Sequence, residues 1–382
     1  MPVPTSPAAD VVVIGAGVVG ASCAYHAARA GLRVTVVDRG PVAGGTTGAG
    51  EGNLLVSDKM PGPELDLARR SAVLWRQIAD EVGGFEYERK GGVVVAGSEP
   101  ALVDLHRTGA HHRSAGVEAV LVPASALPDY EPHLAPDLRG GLYYPEDAQV
   151  QPMLAAARLL ADARAHGAQV HLGHAVIALL RDRERVVGVG TSARRHPAAA
   201  VINAAGTWGR AVAALAQVDL PVLPRRGFIL VTEPLPRVVR HKVYAAEYVS
   251  NVASDDGRLQ TSPVVEGTAA GPVLIGSSRE RVGFDRTFSV PVLRTLAAQA
   301  IRLFPVLARI AVIRTYRGFR PYCPDHLPIV GPDPRAPGLL HACGHEGAGV
   351  GLAAVTGHLL AQVLVGARPD LDLGPFRPER FG

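Results

Sequence analysis

The feature that most constrains the fold is a glycine-rich turn in the segment VVVIGAGVVG. Residues 11–14 form a continuous apolar run, as in a strand that is covered on both faces of a parallel sheet. Gly15, Gly17 and Gly20 follow with the GxGxxG spacing, which allows a tight turn, close approach of a phosphate and close helix–strand packing. The next apolar strand ends at Asp38, where a carboxylate can accept hydrogen bonds from an adenosine ribose. Together these features predict an α/β domain that binds a dinucleotide, rather than a plain βα turn.

The loop that follows Asp38 favours a flavin dinucleotide over a nicotinamide cofactor. The segment RGPVAGGTTGAGEGNLL holds six glycines and two threonines, at a point where a nicotinamide-binding fold usually begins its next helix. Such a loop can surround a ligand with backbone donors, and the hydroxyls of Thr46 and Thr47 are available to phosphate or ring oxygens. A disordered linker is the weaker interpretation, because apolar residues follow the loop immediately.

A second glycine-rich helix start lies near the end of the chain, in GHEGAGVGLAAVTGHLL. It follows GLLHACG, which reads as a buried strand. A helix start offers free N–H groups and the positive end of the helix dipole, so it is a second potential anion site. A dinucleotide site at the first glycine turn does not account for it.

The pattern of elements between the two helix starts predicts two interleaved domains. A Rossmann-type domain that binds the cofactor is expected to comprise residues 1–84, 152–222 and 323–382, where strands alternate with helices. Residues 85–151 and 223–322 are expected to form a mixed, mainly antiparallel sheet that contacts the substrate, because their strands are separated by Pro, Gly and Asp turns.

Composition narrows the class of protein. The formal net charge is +4, but the arginines are scattered, so a nucleic-acid partner is not expected. Three cysteines supply neither a disulfide framework nor the four ligands that an iron–sulfur cluster usually takes. No signal peptide and no apolar run of membrane-spanning length are evident, so a cytoplasmic location without a membrane span is expected.

Histidine and cysteine near the second helix start raise the question of a metal site. His341, Cys343 and His345 alternate, so on a strand they share one face, as metal ligands do. No metal is expected, because the strand is apolar and the glycine motif already includes His345. The adjacent His111 and His112 are expected at the surface.

The chain resembles the FAD-dependent amine oxidases of the superfamily that includes D-amino-acid oxidase, glycine oxidase and sarcosine oxidase. Five motifs carry the resemblance, in family order and over nearly the whole chain: VVVIGAGVVG, GGTTGAGEGN, VINAAGTW, RGFRPYCPDHLPIVGP and GHEGAGVGLAAVTGHLL. Within the superfamily, GEGNLLVSDK, VLIGSSRERVGFD and GFRPYCPDHLPIVG are most similar to catalytic FAD subunits of D-hydroxyproline dehydrogenase and opine oxidases.

The resemblance implies a role for each helix start. The first holds the pyrophosphate of FAD, and the second, at residues 344–351, faces the pyrimidine edge of the flavin and stabilises the negative charge of the reduced ring. Cys323 does not fall where some sarcosine oxidases attach flavin, so non-covalent FAD is expected. The residues assigned to FAD are Gly15, Gly17, Val18, Val19, Gly20, Asp38, Arg39, Thr46, Thr47, Glu51, Gly52, Asn53, Val176, Gly206, Trp208, Gly344, His345, Glu346, Gly347, Ala348, Gly349, Val350 and Gly351.

The resemblance also implies which residues meet the substrate. Arg320 matches the arginine that holds the substrate carboxylate in glycine-oxidase-like members; a purely structural arginine is the alternative. Tyr248 is a candidate second carboxylate or lid contact, or an ordinary strand tyrosine. Glu51 is expected either to meet an ammonium or guanidinium group or to pair with an arginine. Gly347 stands where glycine oxidase carries a further arginine, which argues against a small glycine-like substrate.

The expected reaction is FAD-dependent oxidation of an amino acid, D-configured or N-substituted, to the imine by hydride transfer from Cα to flavin N5. Catalysis would rest on orientation and on the flavin, because no His–Asp pair suited to general base catalysis is evident and no catalytic residue is assigned. Two alternatives stay open: a flavin-binding electron-transfer subunit of a multi-subunit dehydrogenase, and a flavin dehydrogenase of the 2-hydroxyacid type. A partner subunit or another electron acceptor is therefore a further expectation.

Overall fold

The computed structural model describes residues 9–248 and 256–382, which form two large sheets, a small sheet and surrounding helices. The strands are β1 (Ala9–Ile14), β2 (Val34–Asp38), β3 (Asn53–Leu54), β4 (Gly92–Ala96), β5 (Val120–Pro123), β6 (Gly140–Tyr144), β7 (Ala148–Gln149), β8 (Gln169–Leu172), β9 (Val176–Asp182), β10 (Arg185–Thr191), β11 (Arg195–Asn203), β12 (Leu223–Thr232), β13 (Lys242–Ala245), β14 (Gln260–Gly267), β15 (Val273–Arg279), β16 (Val312–Tyr322), β17 (Ile329–Pro332) and β18 (Leu339–Cys343). The α-helices are α1 (Val18–Arg29), α2 (Pro63–Glu81), α3 (Glu99–Ser114), α4 (Leu127–Tyr130), α5 (Pro152–Ala165), α6 (Gly209–Ala214), α7 (Val290–Leu303) and α8 (Gly349–Leu364). Single 3₁₀ turns cover Thr46–Ala49, Ala124–Ala126, Gly206–Trp208, Pro305–Arg309, Glu346–Ala348, Gly374–Phe376 and Pro378–Phe381.

The first sheet has the Rossmann-type arrangement. Its main order is β17-β18-β11-β1-β2-β8, and the strands from β18 to β8 run parallel, while β10 and β9 extend it antiparallel from β11. Helix α1 packs against α5 and α8, and α8 also packs against α2. Val11, Val12 and Val13 of β1 have no exposed surface, as expected for a central strand that is covered on both faces.

The second sheet is mixed and mainly antiparallel. Its order is β16-β12-β15-β14-β13-β4-β6-β5, and within this order β13 and β4 pair in parallel while the other neighbours are antiparallel. Helix α7 packs on β12, β14 and β15 and buries Leu296 and Ala300 against Phe228 and Leu230. Each domain boundary proposed from the sequence, after residues 84, 151, 222 and 322, lies between strands of different sheets.

His112 contradicts the sequence expectation that it lies at the surface. On α3 it shares one face with Leu105 and Gly109, because residues spaced by three and four lie together on a helix. Its Nδ1 lies 2.8 Å from the Tyr144 hydroxyl and its Nε2 lies 2.7 Å from the Lys59 carbonyl oxygen. The imidazole is therefore a fully buried link between α3 and the second sheet.

One helical stretch has the length and composition of a membrane span, although the sequence suggested no apolar run of that length. Glu346–Leu364 comprises 19 residues, and an 18-residue window of it has a mean hydropathy of 1.4 and is half buried inside the protein. Leu352, Leu359 and Leu360 are buried where this helix packs between α1 and α2. A core helix of an α/β domain has the same composition.

Candidate active site

One cavity of about 520 Å³ joins the two glycine-rich helix starts. It lies where residues that follow β1, β2 and β11 face residues of β12 and β16 in the second sheet. The predicted site residues that line it are Gly15, Gly17, Val18, Val19, Asp38, Arg39, Thr46, Thr47, Glu51, Asn53, Val176, Gly206, Trp208, Tyr248, Arg320, His345, Glu346, Gly347, Gly349 and Val350.

Five predicted residues are not part of the lining, and packing explains three of them. A Cβ on Gly20 would lie 2.0 Å from the Gly15 carbonyl oxygen, and one on Gly52 would lie 1.7 Å from the Val150 carbonyl oxygen. A Cβ on Gly344 would lie 2.4 Å from the Cys323 sulfur. At these three positions glycine allows chain segments to pack more closely than a side chain would permit. The five outside the lining are Gly20, Gly52, Gly344, Ala348 and Gly351.

At the first helix start, the Asp38 carboxylate is bonded to the backbone on both sides of it, at Ala16 and Gly40. One carboxylate oxygen of Asp38 accepts a hydrogen bond from the Ala16 N–H and the other from the Gly40 N–H, both at 2.7 Å. Each oxygen keeps a second lone pair, so the carboxylate can still accept from a ligand in the cavity. The Arg39 guanidinium carbon lies 3.9 Å from the Trp208 ring centroid and forms one wall beside this site.

The two threonines of the loop have partners within the protein. Thr47 Oγ1 accepts a hydrogen bond from the Val18 N–H at 3.0 Å, at the first turn of α1. Thr46 Oγ1 donates to the Phe319 carbonyl at 2.7 Å, and Thr207 Oγ1 donates to the same oxygen at 2.8 Å. The hydroxyls that were expected to serve a ligand therefore also attach the loop to α1 and β16.

The second helix start contains a buried pair of opposite charges. Arg225 Nη1 donates to Glu346 Oε1 at 2.5 Å, and His326 Nδ1 lies 3.0 Å from Glu346 Oε2. Burial acts to raise the pKa of Glu346, but the contacts with His326 and Arg225 outweigh it, so the pKa is lowered. The Glu346 carboxylate is thus ionised and neutralised beside the N-terminus of α8.

His345 is the other titratable group at this helix start. Its Nε2 lies 3.0 Å from Thr356 Oγ1, and only 3% of its surface is exposed. Burial lowers the pKa of His345 to about 4, so the ring is neutral at physiological pH. The positive potential at this end of the cavity therefore comes from backbone N–H groups and from neighbouring arginines rather than from an imidazolium.

Arg320 lines the cavity next to the second helix start. A Cβ placed on Gly347 would lie 3.7 Å from both Cδ and Nε of Arg320. Arg320 Nη1 donates to the Ser278 carbonyl at 2.8 Å, and within residues 9–248 and 256–382 it makes no ion pair. Gly227 on the facing strand leaves room for the guanidinium, because a Cβ there would lie 2.3 Å from Nη1.

Tyr248 and Glu51 also reach this end of the cavity. The Tyr248 ring centroid lies 5.1 Å from that of Tyr244 and 5.0 Å from the guanidinium carbon of Arg279. Glu51 was expected to meet a ligand or to pair with an arginine; its ionic partner is Lys242, whose Nζ lies 3.5 Å from Oε2. Burial raises the pKa of Glu51, and Lys242 opposes that shift.

The sequence did not single out the strand residues that form the wall opposite the cofactor domain. Gly227 and Gly318 pair directly across β12 and β16, and both line the cavity with Ile229 and Phe319. One signal was available, since the tripeptide RGF occurs in both strands and its glycines form the pair. The remaining unpredicted lining residues are Ile14, Val37, Gly40, Pro41, Gly44, Gly45, Ala49, Gly50, His174, Ala175, Ala204, Ala205, Ala211, Val212, Leu215, Pro321 and Ala342.

The two histidines of the alternating set, His341 and His345, have hydrogen-bond partners within the protein. His341 Nε2 lies 3.1 Å from an Asp333 carboxylate oxygen, and Asn203 Nδ2 lies 3.2 Å from its Nδ1. Cys323 and Cys343 are unpaired, buried and outside the cavity lining. The described part of the chain shows no group of three metal-ligating side chains.

The cavity fits FAD in two respects. It reaches both helix starts, and at Gly17 an added Cβ would meet only the Thr47 hydroxyl, at 3.1 Å, so the backbone is open to a phosphate. Among the lining residues, Glu51 Oε1, Asn53 Oδ1 and His174 Nδ1 are buried without a hydrogen-bond partner, and a bound ligand with polar groups can supply one.

Comparisons with known proteins agree with this assignment. Residues 10–363 match the family described as FAD dependent oxidoreductase. The hydrogen cyanide synthase subunit HcnC of Pseudomonas protegens is 31% identical, covering 97% of this chain and 96% of that protein. Glycine oxidase from Geobacillus kaustophilus has a similar structure, with a TM-score of 0.88 and 26% identity over 98% of this chain and 99% of that chain. Iminodiacetate oxidase from Chelativorans sp. also has a similar structure, with a TM-score of 0.83 and 27% identity over 96% of this chain and 98% of that chain. The chain therefore belongs to the FAD-dependent oxidoreductase (DAO) family and is an FAD-dependent enzyme that acts on amino-acid or amine substrates.

Proposed function

We propose that this protein oxidises an amino acid, D-configured or N-substituted, to the corresponding imine. The observation that carries the proposal is Arg320, a guanidinium in the cavity lining whose one hydrogen bond in the described residues goes to a backbone carbonyl. Its remaining N–H groups can hold a carboxylate through two parallel hydrogen bonds. When bound, FAD would supply the acceptor for the hydride that leaves Cα of the neutral amine, once the ammonium has lost its proton to solvent.

The protein's own contribution is orientation and electrostatics. Arg320 fixes the carboxylate, and the N–H groups at the start of α8 would favour negative charge on a cofactor bound beside them. Arg225 neutralises Glu346, so this carboxylate does not oppose that effect. The apolar side chains of Ile229 and Phe319 line the same cavity and exclude water from part of it.

The direct test is anaerobic bleaching of the flavin by a panel of D-, L- and N-alkyl amino acids and matched 2-hydroxy acids. We expect at least one amino acid and no 2-hydroxy acid to reduce the flavin. Arg320→Ala should weaken carboxylate substrates by about 2–5 kcal/mol while the protein keeps its FAD. Arg317→Ala is the matched control, because Arg317 lies on the same strand and outside the cavity lining. Equal losses in both variants would assign Arg320 a structural role.

A second candidate function is that of a catalytic FAD subunit that passes electrons to a partner protein. What favours it is the similarity to HcnC, which is described as a subunit of a synthase. The three cysteines of the sequence are too few for an iron–sulfur relay of the usual four ligands. We expect the substrate-reduced protein to react slowly with oxygen and quickly with an acceptor dye in stopped-flow experiments. Reoxidation by oxygen as fast as turnover would show that no partner is needed.

A further inference from the structure

Glu51 presents an unused carboxylate oxygen beside the cavity. Its Oε2 accepts a hydrogen bond from Asn53 Nδ2 at 3.1 Å and lies 3.5 Å from Lys242 Nζ. Its Oε1 is buried and has no hydrogen-bond partner, and the side chain is 7% exposed. Leaving a buried acceptor of this kind unpaired is costly, so a donor from a bound molecule is expected at Oε1.

Glu51 shares its nearest cation with a second buried carboxylate. Lys242 Nζ lies 2.7 Å from Glu266 Oε2, closer than its 3.5 Å distance to Glu51. Glu266 also accepts the Gly52 N–H at 3.4 Å. One ammonium group is thus shared between two buried carboxylates, while Lys90 also acts on Glu266. Burial disfavours the ionised form and raises the pKa of Glu51, so a cation bound beside Oε1 would favour the carboxylate.

Arg320 supplies a separate positive charge in the same cavity. Its guanidinium is near enough to act on the pKa of Glu51, yet in the described residues the two form no ion pair. Gly276 leaves room for Oε1 itself, because a Cβ there would lie 2.8 Å from that oxygen. The cavity therefore offers one anion and one cation that are not paired with each other, which is the complement of a zwitterion.

We propose that Glu51 binds the ammonium group of the substrate and makes the site selective for zwitterionic amino acids over acids that lack the amine. This inference rests on the proposed function, in which Arg320 takes the carboxylate. A 2-hydroxy acid would bring only a negative charge into the cavity and no cation for Glu51. Glu51 thus discriminates between the amino-acid and hydroxy-acid classes.

Binding of three acids without a Cα–H bond tests the proposal apart from oxidation. The acids are 2-aminoisobutyrate, 2-hydroxyisobutyrate and pivalate, which are similar in size and differ in an ammonium, hydroxyl or methyl group. Each is titrated into the holoenzyme, and its dissociation constant is read from the shift in flavin absorbance. A charge-assisted hydrogen bond changes affinity by ~10- to 100-fold, so the wild-type protein should prefer the amine by that factor.

Glu51→Gln should abolish this preference, because the amide keeps the size of the side chain and removes its charge. Glu131→Gln is the control for loss of a buried carboxylate: Glu131 has no exposed surface and lies outside the cavity lining, so the preference should persist. An unchanged preference in Glu51→Gln overturns the proposal. If that variant loses FAD, the titration of the wild-type protein is the test. Equal binding of the three acids, or binding of none of them, overturns the proposal. The proposed function fails separately, if no amino acid reduces the flavin.

Discussion

The two helix starts contain similar numbers of glycines but use them differently. At the first, a Cβ on Gly15 would lie 2.4 Å from the Ala204 carbonyl oxygen, and Gly15 has a φ of +119°. A Cβ on Gly20 would meet the backbone at 2.0 Å. At the second, the nearest atoms to a Cβ on Gly347 or Gly349 lie at 3.7 Å and 3.5 Å, which are ordinary contacts.

This difference distinguishes two reasons why a motif contains glycine. At Gly15 and Gly20 the fold leaves no room for a side chain, because strand, turn and helix meet there. At Gly347 the fold has room, and a side chain would instead extend toward the cavity and Arg320. Substitutions at Gly15 or Gly20 should therefore cost stability, whereas substitutions at Gly347 should cost ligand binding.

The largest effect is expected for Gly20→Ala. The added methyl group would collide with a backbone carbonyl that cannot move without opening the turn, so unfolding should become easier by more than about 3 kcal/mol. Urea unfolding at saturating FAD measures this loss. Gly97→Ala is the control, because no atom lies within 4 Å of its Cβ position and its φ is not left-handed. Similar stabilities for the two variants would contradict the packing role of Gly20.

Gly17→Val should lose the cofactor rather than the fold. The nearest neighbour of a Cβ at this position is the Thr47 hydroxyl at 3.1 Å, which can shift, whereas the larger side chain fills the space for a phosphate. The purified protein should be colourless, and its far-UV circular dichroism should match that of wild-type apoprotein. Denatured wild-type protein should release FAD; release of FMN or NAD instead would contradict the assignment of the first helix start.

Gly347→Leu should spare both the fold and the cofactor and weaken the substrate. The side chain would extend toward Arg320, so the dissociation constant for a carboxylate ligand should rise by ~10-fold or more, while FAD content stays at the wild-type level. Gly347→Ala tests the same contact more mildly, since its Cβ makes only ordinary contacts, and should change affinity by a few-fold at most. Loss of FAD from the alanine variant would mean that the second helix start resembles the first.

The predicted residues that line the cavity at the first helix start owe their positions to local spacing. Gly15, Gly17 and Asp38 follow from the order strand, turn, helix, strand, because the ends of neighbouring parallel strands meet at one edge of the sheet. Arg320 came from a resemblance to a motif, and the structure places it in the lining. Its role remains a prediction.

What the sequence did not reveal depends on contacts between distant segments. Nothing near Glu51 in the chain indicates that Lys242 would approach it, or that Glu266 would hold the same ammonium group more closely. Similarly, the Thr46 hydroxyl, which was expected to face a ligand, donates a hydrogen bond to the Phe319 carbonyl. Such pairings depend on how the second sheet packs against the first. The hydrophobic periodicity of the sequence does not predict that packing.

The smallest effect is expected in the dependence of stability on pH. It should distinguish the two helix starts, because the second contains the buried imidazole of His345 and the first contains no imidazole. The pKa of His345 is about 4 in the folded protein, against an ordinary value of about 6.5 when unfolded. Between these values the unfolded chain binds the extra proton, so this residue lowers stability as pH falls from about 6.5 to 4, by at most about 1.4 kcal/mol per pH unit. Above pH 7 both states are neutral and the contribution vanishes. His345→Gln should therefore gain stability relative to wild type only below pH 6.5, measured by urea unfolding at saturating FAD from pH 5 to pH 8. A stability difference that stays constant over this range would show that the imidazole at the second helix start titrates normally in the folded protein.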